Sequence, residues 1–252
     1  MRRVYRFVSL FVLAISLASI TASAQLYHQR IPPSQVTDEY SALLARYERS
    51  IFTSAVYDSK NLRQLCPLVA DENREVVVVT MTSKDGNVGD LLPITGTGVW
   101  VTGVPEVQDI CRHFTGDVVM RLRELLGLPP DAHIPRALVL RVKITDVFRP
   151  AVNPDVSSTT PCEQLADAPA LSDCGNAFPA ETAPSHYAWM ASQAFELHTL
   201  SHGFPWTHLG YTFNWAPDTD RYGASEYVIR PGAPALILQN VTSESYCRPS
   251  NP

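Results

Sequence analysis

The chain has 252 residues, of which 45% are hydrophobic and 18% are charged, a balance typical of a globular protein with a sizeable core. The formal net charge is −5, and no cluster of Lys and Arg occurs after the first few residues, which argues against nucleic acid as a partner. The 20 prolines predict many turns and rigid loops.

Residues 1–24 have the pattern of a secretory signal peptide. Three arginines precede an apolar run from Phe7 to Ile20, and the triplet ASA at 22–24 offers small side chains for cleavage. The run is shorter than the roughly 20 residues that cross a bilayer. The pattern therefore predicts an exported protein, periplasmic or extracellular, with no membrane span after cleavage. Cleavage removes three basic residues and leaves 17 against 25 acidic ones, a net charge of −8.

Five cysteines in a chain that reaches an oxidising compartment predict at least one disulfide. The best local pair is Cys162 with Cys174, which bracket a loop without a periodic apolar pattern. Cys111 lies inside a helical pattern, and we expect it to be a small buried residue and the odd thiol. Cys66 and Cys247 could then pair across the fold.

The part from residue 25 to residue 148 predicts alternating helices and strands. Thr37 can cap a helix over 38–57, and an uninterrupted β-branched run over 76–82 is typical of a strand covered on both faces. Further along, the pattern predicts a strand over 99–104, a helix from Pro105 to a break at Gly116, a second helix capped by Asp117, and a strand over 137–148 with one solvated face.

Residues 149–184 contain many prolines and no periodic pattern, which predicts a long loop tied by a disulfide. The C-terminal part, 185–252, we expect to belong to the same domain. It predicts a helix over 185–201 and three short strands within "LGYTFNW", "SEYVIR" and "ALILQN". The expected class is α+β, with a mixed or antiparallel sheet, several packed helices and a long Pro-rich loop.

Histidines and aromatic residues concentrate between His186 and Tyr227. A helical projection of 185–201 places Tyr187 and Phe195 on the inward arc, together with two of the histidines. Large rigid rings in one region favour a cleft for a ligand or partner. The candidate binding residues are His186, Trp189, Trp206, His208, Tyr211 and Trp215.

The spacing of His198, His202 and His208 resembles the zinc ligands of metzincin proteases, H-E-x-x-H-x-x-G-x-x-H. That resemblance implies a zinc-bound water and a glutamate that acts as general base. The sequence departs from the motif where Thr199 replaces this glutamate and Pro205 replaces the turn glycine. We therefore expect no metal and no other cofactor.

The stretch "ASEYVIRPGAPALIL" is similar to the region of ADP-ribosyltransferase toxins in which a catalytic glutamate opens a strand. The resemblance implies that Glu226 stabilises an oxocarbenium ion. Ala224 replaces the first acid of the paired E-x-E motif. Arg141 and the run SSTT over 157–160, the only candidates for the other motifs, lie too close together in the sequence.

These patterns leave two functions open. The first is a binding or interaction role through a His/aromatic cleft, with a small molecule, a glycan or an envelope protein as partner. The second is a secreted enzyme, a hydrolase or an ADP-ribosyltransferase-like group transferase, with His198, His202 and Glu226 as the catalytic residues. An enzyme needs the carboxylate and an imidazole close to a common point, with at least one shifted pKa.

Overall fold

A computed structural model of the chain describes residues 37–56, 58–160, 184–198 and 203–248, which belong to a unit that begins at Thr37. The signal-peptide pattern lies outside the described residues. So do His202, the pair Cys162 and Cys174, and most of the Pro-rich loop.

Five helices and eight strands occur within the described residues. The helices are α1 (Asp38–Ala55), α2 (Glu106–Cys111), α3 (Val118–Leu125), α4 (Pro184–Leu197) and α5 (Ser243–Cys247). The strands are β1 (Glu75–Thr82), β2 (Leu91–Leu92), β3 (Val99–Gly103), β4 (Arg136–Lys143), β5 (Val147–Phe148), β6 (Tyr211–Phe213), β7 (Tyr222–Ile229) and β8 (Ala235–Thr242).

All eight strands join one antiparallel sheet, in the order β2-β8-β4-β1-β3-β7-β5, with β6 paired to β7. The predicted α+β class is therefore confirmed, with an antiparallel sheet. Strands β7 and β8 pair with β3 and β4, which lie more than 90 residues earlier in the chain. Residues from the C-terminal part thus complete a sheet begun by the N-terminal part.

One face of the sheet encloses an apolar core. Leu92 of β2 and Val147 of β5 share this core, although their strands stand at opposite ends of the strand order. The sheet must therefore curl until its two ends approach a common interior. We call this the inner face; Tyr227 and Ile229 of β7 project into it.

The other, outer face carries helices. Val79 and Val139 project from it into a second core shared with α2, α3 and α5. The predicted solvated face of β4 is wrong for the first half of that strand, where residues 137–140 are buried on both faces and only Arg141 and Lys143 are exposed. The terminal helix α5, for which the sequence shows no periodic pattern, helps to cover this part of β4.

The structure contains a disulfide between Cys111 of α2 and Cys247 of α5. The expectation that Cys111 is the odd thiol is wrong, and so is a pair between Cys66 and Cys247. Cys66 is a free, exposed cysteine. Cys111 and Cys247 are 136 residues apart in the sequence, so no local pattern predicts that they pair. Only the sheet brings α2 and α5 together.

The helix caps follow the sequence closely. Thr37 Oγ1 accepts a hydrogen bond from the backbone N–H of Tyr40 at 3.1 Å, and Asp117 Oδ1 accepts one from Met120 at 2.9 Å. These contacts confirm both predicted helix starts. Among the described residues, no helix is long and apolar enough to cross a membrane.

Candidate functional site

The outer face of strands β3, β7 and β5 forms the base of the candidate site. Trp100 and Phe148 both lie directly opposite Val228 of β7, and Thr102 lies opposite Glu226. Directly opposite residues of antiparallel strands project to the same side of a sheet, and so do residues two apart on one strand. Trp100, Phe148 and Glu226 therefore project from the same face.

Helix α4 lies over this base. His186, Met190 and Gln193 are buried at helical spacing, with Trp189 half-buried between them. Tyr187 and Phe195 are exposed instead, so the predicted inward arc of this helix is wrong for both residues. The arc is rotated because the ring of Phe148 contacts both His186 and Trp189.

Seven rings make up what we call the ring cluster: Trp100, Phe148, His186, Trp189, His198, Trp206 and His208. Its centre is a triangle of tryptophans, with centroid distances of 6.0 Å from Trp100 to Trp189, 6.1 Å from Trp100 to Trp206 and 6.2 Å from Trp189 to Trp206. Trp206 is buried, whereas Trp100 and Trp189 are half-buried. Two of the three tryptophans therefore reach the surface.

Two imidazoles border the triangle at Trp206. His208 lies 4.1 Å from the Trp206 ring and 4.8 Å from the His198 ring, centroid to centroid. His198 Nε2 is 3.3 Å from both the Trp206 carbonyl oxygen and His208 Nε2. If His198 Nε2 carries the proton and donates to the carbonyl, His208 Nε2 is left as an acceptor.

The histidines of the cluster are held in their neutral form. Burial and, to a smaller extent, the neighbouring His198 together lower the pKa of His208 to about 4. Burial also lowers the pKa of His198 and that of His186, against the effects of their hydrogen bonds to Trp206 and Ala151. His186 Nε2 makes its bond to the Ala151 oxygen at 2.8 Å.

Glu226 is the buried carboxyl group of the site. It lies in the middle of β7, 5% exposed, and does not open a strand as the resemblance to ADP-ribosyltransferases implies. Burial raises the pKa of Glu226 to about 8, while Arg149 and the indole of Trp206 act in the opposite direction. At neutral pH the protonated form prevails, so the group can donate a proton.

Four buried polar atoms around the cluster have no hydrogen-bond partner in the described part of the chain. They are Trp189 Nε1, Gln193 Nε2, Trp206 Nε1 and Glu226 Oε1. Trp206 borders Glu226 closely enough to lower its pKa, yet neither of these two atoms completes a hydrogen bond of normal geometry. Gln193 follows Trp189 by one helical turn on the same buried face of α4.

The structure separates the remaining candidates from this cluster. The Tyr211 ring packs with Leu65, Leu209 and Tyr222, and its hydroxyl donates to the Asn61 oxygen. Trp215 packs against Tyr47 in another cluster, 5.5 Å between centroids. Among the described residues, no ring contact joins Tyr211 to Trp215, and none joins either residue to the tryptophan triangle.

Sequence reasoning missed three residues of the site: Trp100, Phe148 and Gln193. Trp100 and Phe148 belong to short apolar strands, where a ring is ordinarily part of a core. Gln193 is the one amide of α4 and lies at helical spacing from His186, Trp189 and Met190, a pattern that the sequence does contain.

No group of three or more His, Cys, Asp or Glu side chains in the described ranges is arranged to hold a metal ion. His202 lies outside those ranges, so the expectation that the three histidines hold no metal stays a prediction from the sequence.

Comparisons with known proteins found no matching protein-family model, no matching curated protein and no matching solved structure. The function is therefore inferred from the ring cluster, Gln193 and Glu226.

Proposed function

We propose that the protein is an exported binding protein, and that the ring cluster with Gln193 and Glu226 binds a small molecule. The signal-peptide pattern supports export, and the Cys111–Cys247 disulfide is compatible with an oxidising compartment. Trp100 and Trp189 are half-buried beside the buried Trp206, which supports a site that a ligand can reach.

The observation that carries the proposal is the set of four buried, unpartnered polar atoms at one ring cluster. Each such group costs about 1–3 kcal/mol when it is left without a hydrogen bond. A cluster that serves packing alone would be more stable with apolar side chains of the same shape. Unpartnered groups in a native structure therefore need an explanation, and a ligand that completes their hydrogen bonds supplies one.

A thermal-shift screen of wild type against sugars, amino acids, nucleosides and fatty acids tests the proposal. We expect at least one compound class to raise the melting temperature of wild type, because a ligand stabilises the state that binds it. The Gln193→Leu variant should lose this response and melt at a higher temperature without ligand. Tyr222→Phe, which removes a hydroxyl group in the separate Tyr211 cluster, is the matched control and should respond like wild type.

The proposal is wrong if no compound class shifts wild type. It is also wrong if Gln193→Leu responds as wild type does, because the ligand would then bind elsewhere.

A secreted enzyme is the second candidate, and one observation favours it. Trp206 borders both a carboxyl group with a raised pKa, Glu226, and an imidazole with a lowered pKa, His208. Such a pair can supply a general acid and a general base at the same pH. Release of nitrophenol from nitrophenyl glycosides and esters tests for hydrolysis. Activity should be lost in both Glu226→Gln and His208→Gln; activity that survives both changes would exclude this pair.

A further inference from the structure

The unpartnered atoms restrict the chemistry of the ligand. Trp189 Nε1, Trp206 Nε1 and Gln193 Nε2 are donors, whereas Glu226 Oε1 is a carboxyl oxygen. A complementary ligand must offer several acceptors and at least one group that can pair with the carboxyl. A hydroxyl group does both, because it carries one donor and two lone pairs.

The charge of the cluster favours a neutral ligand. His186, His198 and His208 all have lowered pKa values, and Glu226 has a raised one, so all four side chains are neutral near pH 7. An anionic ligand would find no positively charged partner among these four side chains. A cationic ligand would find a negative partner only if Glu226 lost its proton in an apolar surrounding, which is unfavourable.

Two charged groups lie near the cluster, and neither changes this conclusion. Arg149 is fully buried, and its Nε and Nη2 donate to the backbone oxygens of four residues, 66, 155, 156 and 158. Its Nη1 has no partner among the described residues, but the guanidinium lies over the ring of Tyr227 on the inner face, 4.8 Å from the centroid, and not on the face that carries the cluster. Arg230 is exposed and lies over the outer ring Phe148, 4.6 Å from its centroid.

The tryptophan triangle also supplies a surface for an apolar face of the ligand. Trp100 and Trp189 are inclined by 36° to each other and are half-buried. Flat rings of this kind pack against the C–H faces of a saturated ring while N–H groups bind its substituents. An extended acyl chain would leave the three donors without acceptors.

Access to the unpartnered atoms requires a movement of α4, because those atoms are shielded from solvent. The helix is held to the sheet by ring contacts and by the bond from His186 to the Ala151 oxygen. We expect an outward displacement of α4 to precede binding and its return to enclose the ligand.

We infer that the ligand is a neutral, hydroxyl-rich saturated ring of the sugar class, bound beneath α4 with Trp100 and Trp189 against its C–H face and Gln193 and Glu226 on its hydroxyls. This inference rests on the proposed binding function and specifies its ligand.

Saturation-transfer NMR on the full mature chain tests it with matched probes. The neutral probes are glucose, galactose, mannose and N-acetylglucosamine; glucuronate and glucosamine are their anionic and cationic counterparts, and indole is an aromatic probe without hydroxyls. We expect at least one neutral sugar to receive transfer and to bind at least tenfold more tightly than its charged counterpart. Gln193→Leu should weaken that binding about tenfold, the equivalent of one lost hydrogen bond.

Hydrogen exchange provides the second measurement. Saturating sugar should slow amide exchange in α4 of wild type, and it should leave the exchange of Gln193→Leu unchanged. A melting curve of each variant confirms that it is folded.

Several outcomes overturn the inference and differ in what they imply for the proposed function. Tighter binding of glucuronate, glucosamine or indole would replace the ligand class and leave the binding function standing. A thermal shift caused by another compound class, without saturation transfer to any sugar, would also replace the ligand class and leave the binding function standing. If no probe binds and no compound shifts the melting temperature, both the inference and the proposed function are wrong.

Discussion

Trp206 and His208 pack with their ring centroids 4.1 Å apart, and this contact shields part of the imidazole from solvent. The same indole borders the buried carboxyl of Glu226. The Trp206 ring therefore lies beside two groups whose pKa values burial shifts in opposite directions: a carboxyl group that keeps its proton near pH 7 and an imidazole that is unprotonated there. The stability of the fold should consequently depend on pH through both Glu226 and His208.

Glu226 should make the protein less stable as pH rises. Between its ordinary pKa of 4.5 and its folded pKa of about 8, the folded state keeps a proton that the unfolded state has released. The free energy of unfolding should therefore fall across this window, by an amount on the order of 4 kcal/mol. Glu226→Gln should remove the fall, and urea unfolding at pH 4.5–9 measures it. The exposed Glu72→Gln is the control; an unchanged pH slope in Glu226→Gln would contradict the prediction.

His208 should act in the opposite sense at lower pH. Its pKa is 6.5 when unfolded and about 4 when folded, so the unfolded state binds the extra proton between these values. Stability should therefore rise from pH 4 to pH 6.5, by about 3 kcal/mol from this residue. Urea unfolding of His208→Gln should show a flatter rise. His133→Gln, an exposed histidine, should behave as wild type; if both variants keep the full slope, burial of His208 is not its source.

Reduction of the Cys111–Cys247 disulfide should destabilise the fold. The bond closes a loop of 136 residues, and cross-links of that length contribute about 4–5 kcal/mol by restricting the unfolded chain. Urea unfolding of Cys111→Ser with Cys247→Ser measures the loss. Cys66→Ser, at an exposed free thiol, should change stability by less than about 0.5 kcal/mol.

Peptide mapping of the oxidised protein tests the predicted bond from Cys162 to Cys174 at the same time. The backbone N–H of Leu65 donates to the Thr159 oxygen at 2.8 Å, which brings Cys66 near the chain that leads into residue 162. A peptide that joins Cys66 to Cys162 would contradict the predicted pairing.

The tryptophans should divide into two energetic groups. Trp189 and Trp206 contact each other at 6.2 Å between centroids, whereas Trp215 packs against Tyr47. A double-mutant cycle of Trp189→Phe with Trp206→Phe should give a coupling of about 0.5–1.5 kcal/mol. Trp206→Phe with Trp215→Phe should be additive within about 0.5 kcal/mol. Equal coupling in both cycles would show that the two clusters are not independent.

Gly210→Ala should destabilise the protein more than Gly116→Ala. Both glycines have positive φ angles, +76° and +73°, so both substitutions carry the same backbone strain. A Cβ at position 210 would lie 2.7 Å from Cδ of the fully buried Arg149, whereas one at position 116 meets nothing within 4 Å. We expect an excess cost of about 1–3 kcal/mol at Gly210 in thermal or urea unfolding. Equal costs would mean that the Arg149 side chain can move aside.

Several elements could be predicted because their signals are local. The cap at Thr37, the cap at Asp117 and the β-branched strand β1 each depend on side chains within one turn or one strand. The alternation of β4 was equally visible, but its predicted exposure was wrong over residues 137–140 because α5, from the far end of the chain, covers that face.

The candidate site likewise has some residues that a local pattern predicts and others that only the tertiary structure brings in. The concentration of histidines and tryptophans after residue 185 marks the region in the sequence, and it includes five members of the ring cluster. Tyr211 and Trp215 belong to the same stretch but lie in other clusters. Tyr211 pairs with Ser225, which projects to the opposite face of β7 from Glu226, and Trp215 follows β6 and packs against Tyr47. Trp100 and Phe148 join the cluster only through pairing of β3 and β5 with β7.

The sequence by itself determined the α+β class, the helix starts and the region in which the rings accumulate, since each depends on the periodicity or capping of neighbouring residues. Only the tertiary structure decided that Cys111 bonds to Cys247 and that Glu226 is buried beside Trp206. Both results come from antiparallel pairing between strands far apart in the chain, which brings together residues that no local pattern connects.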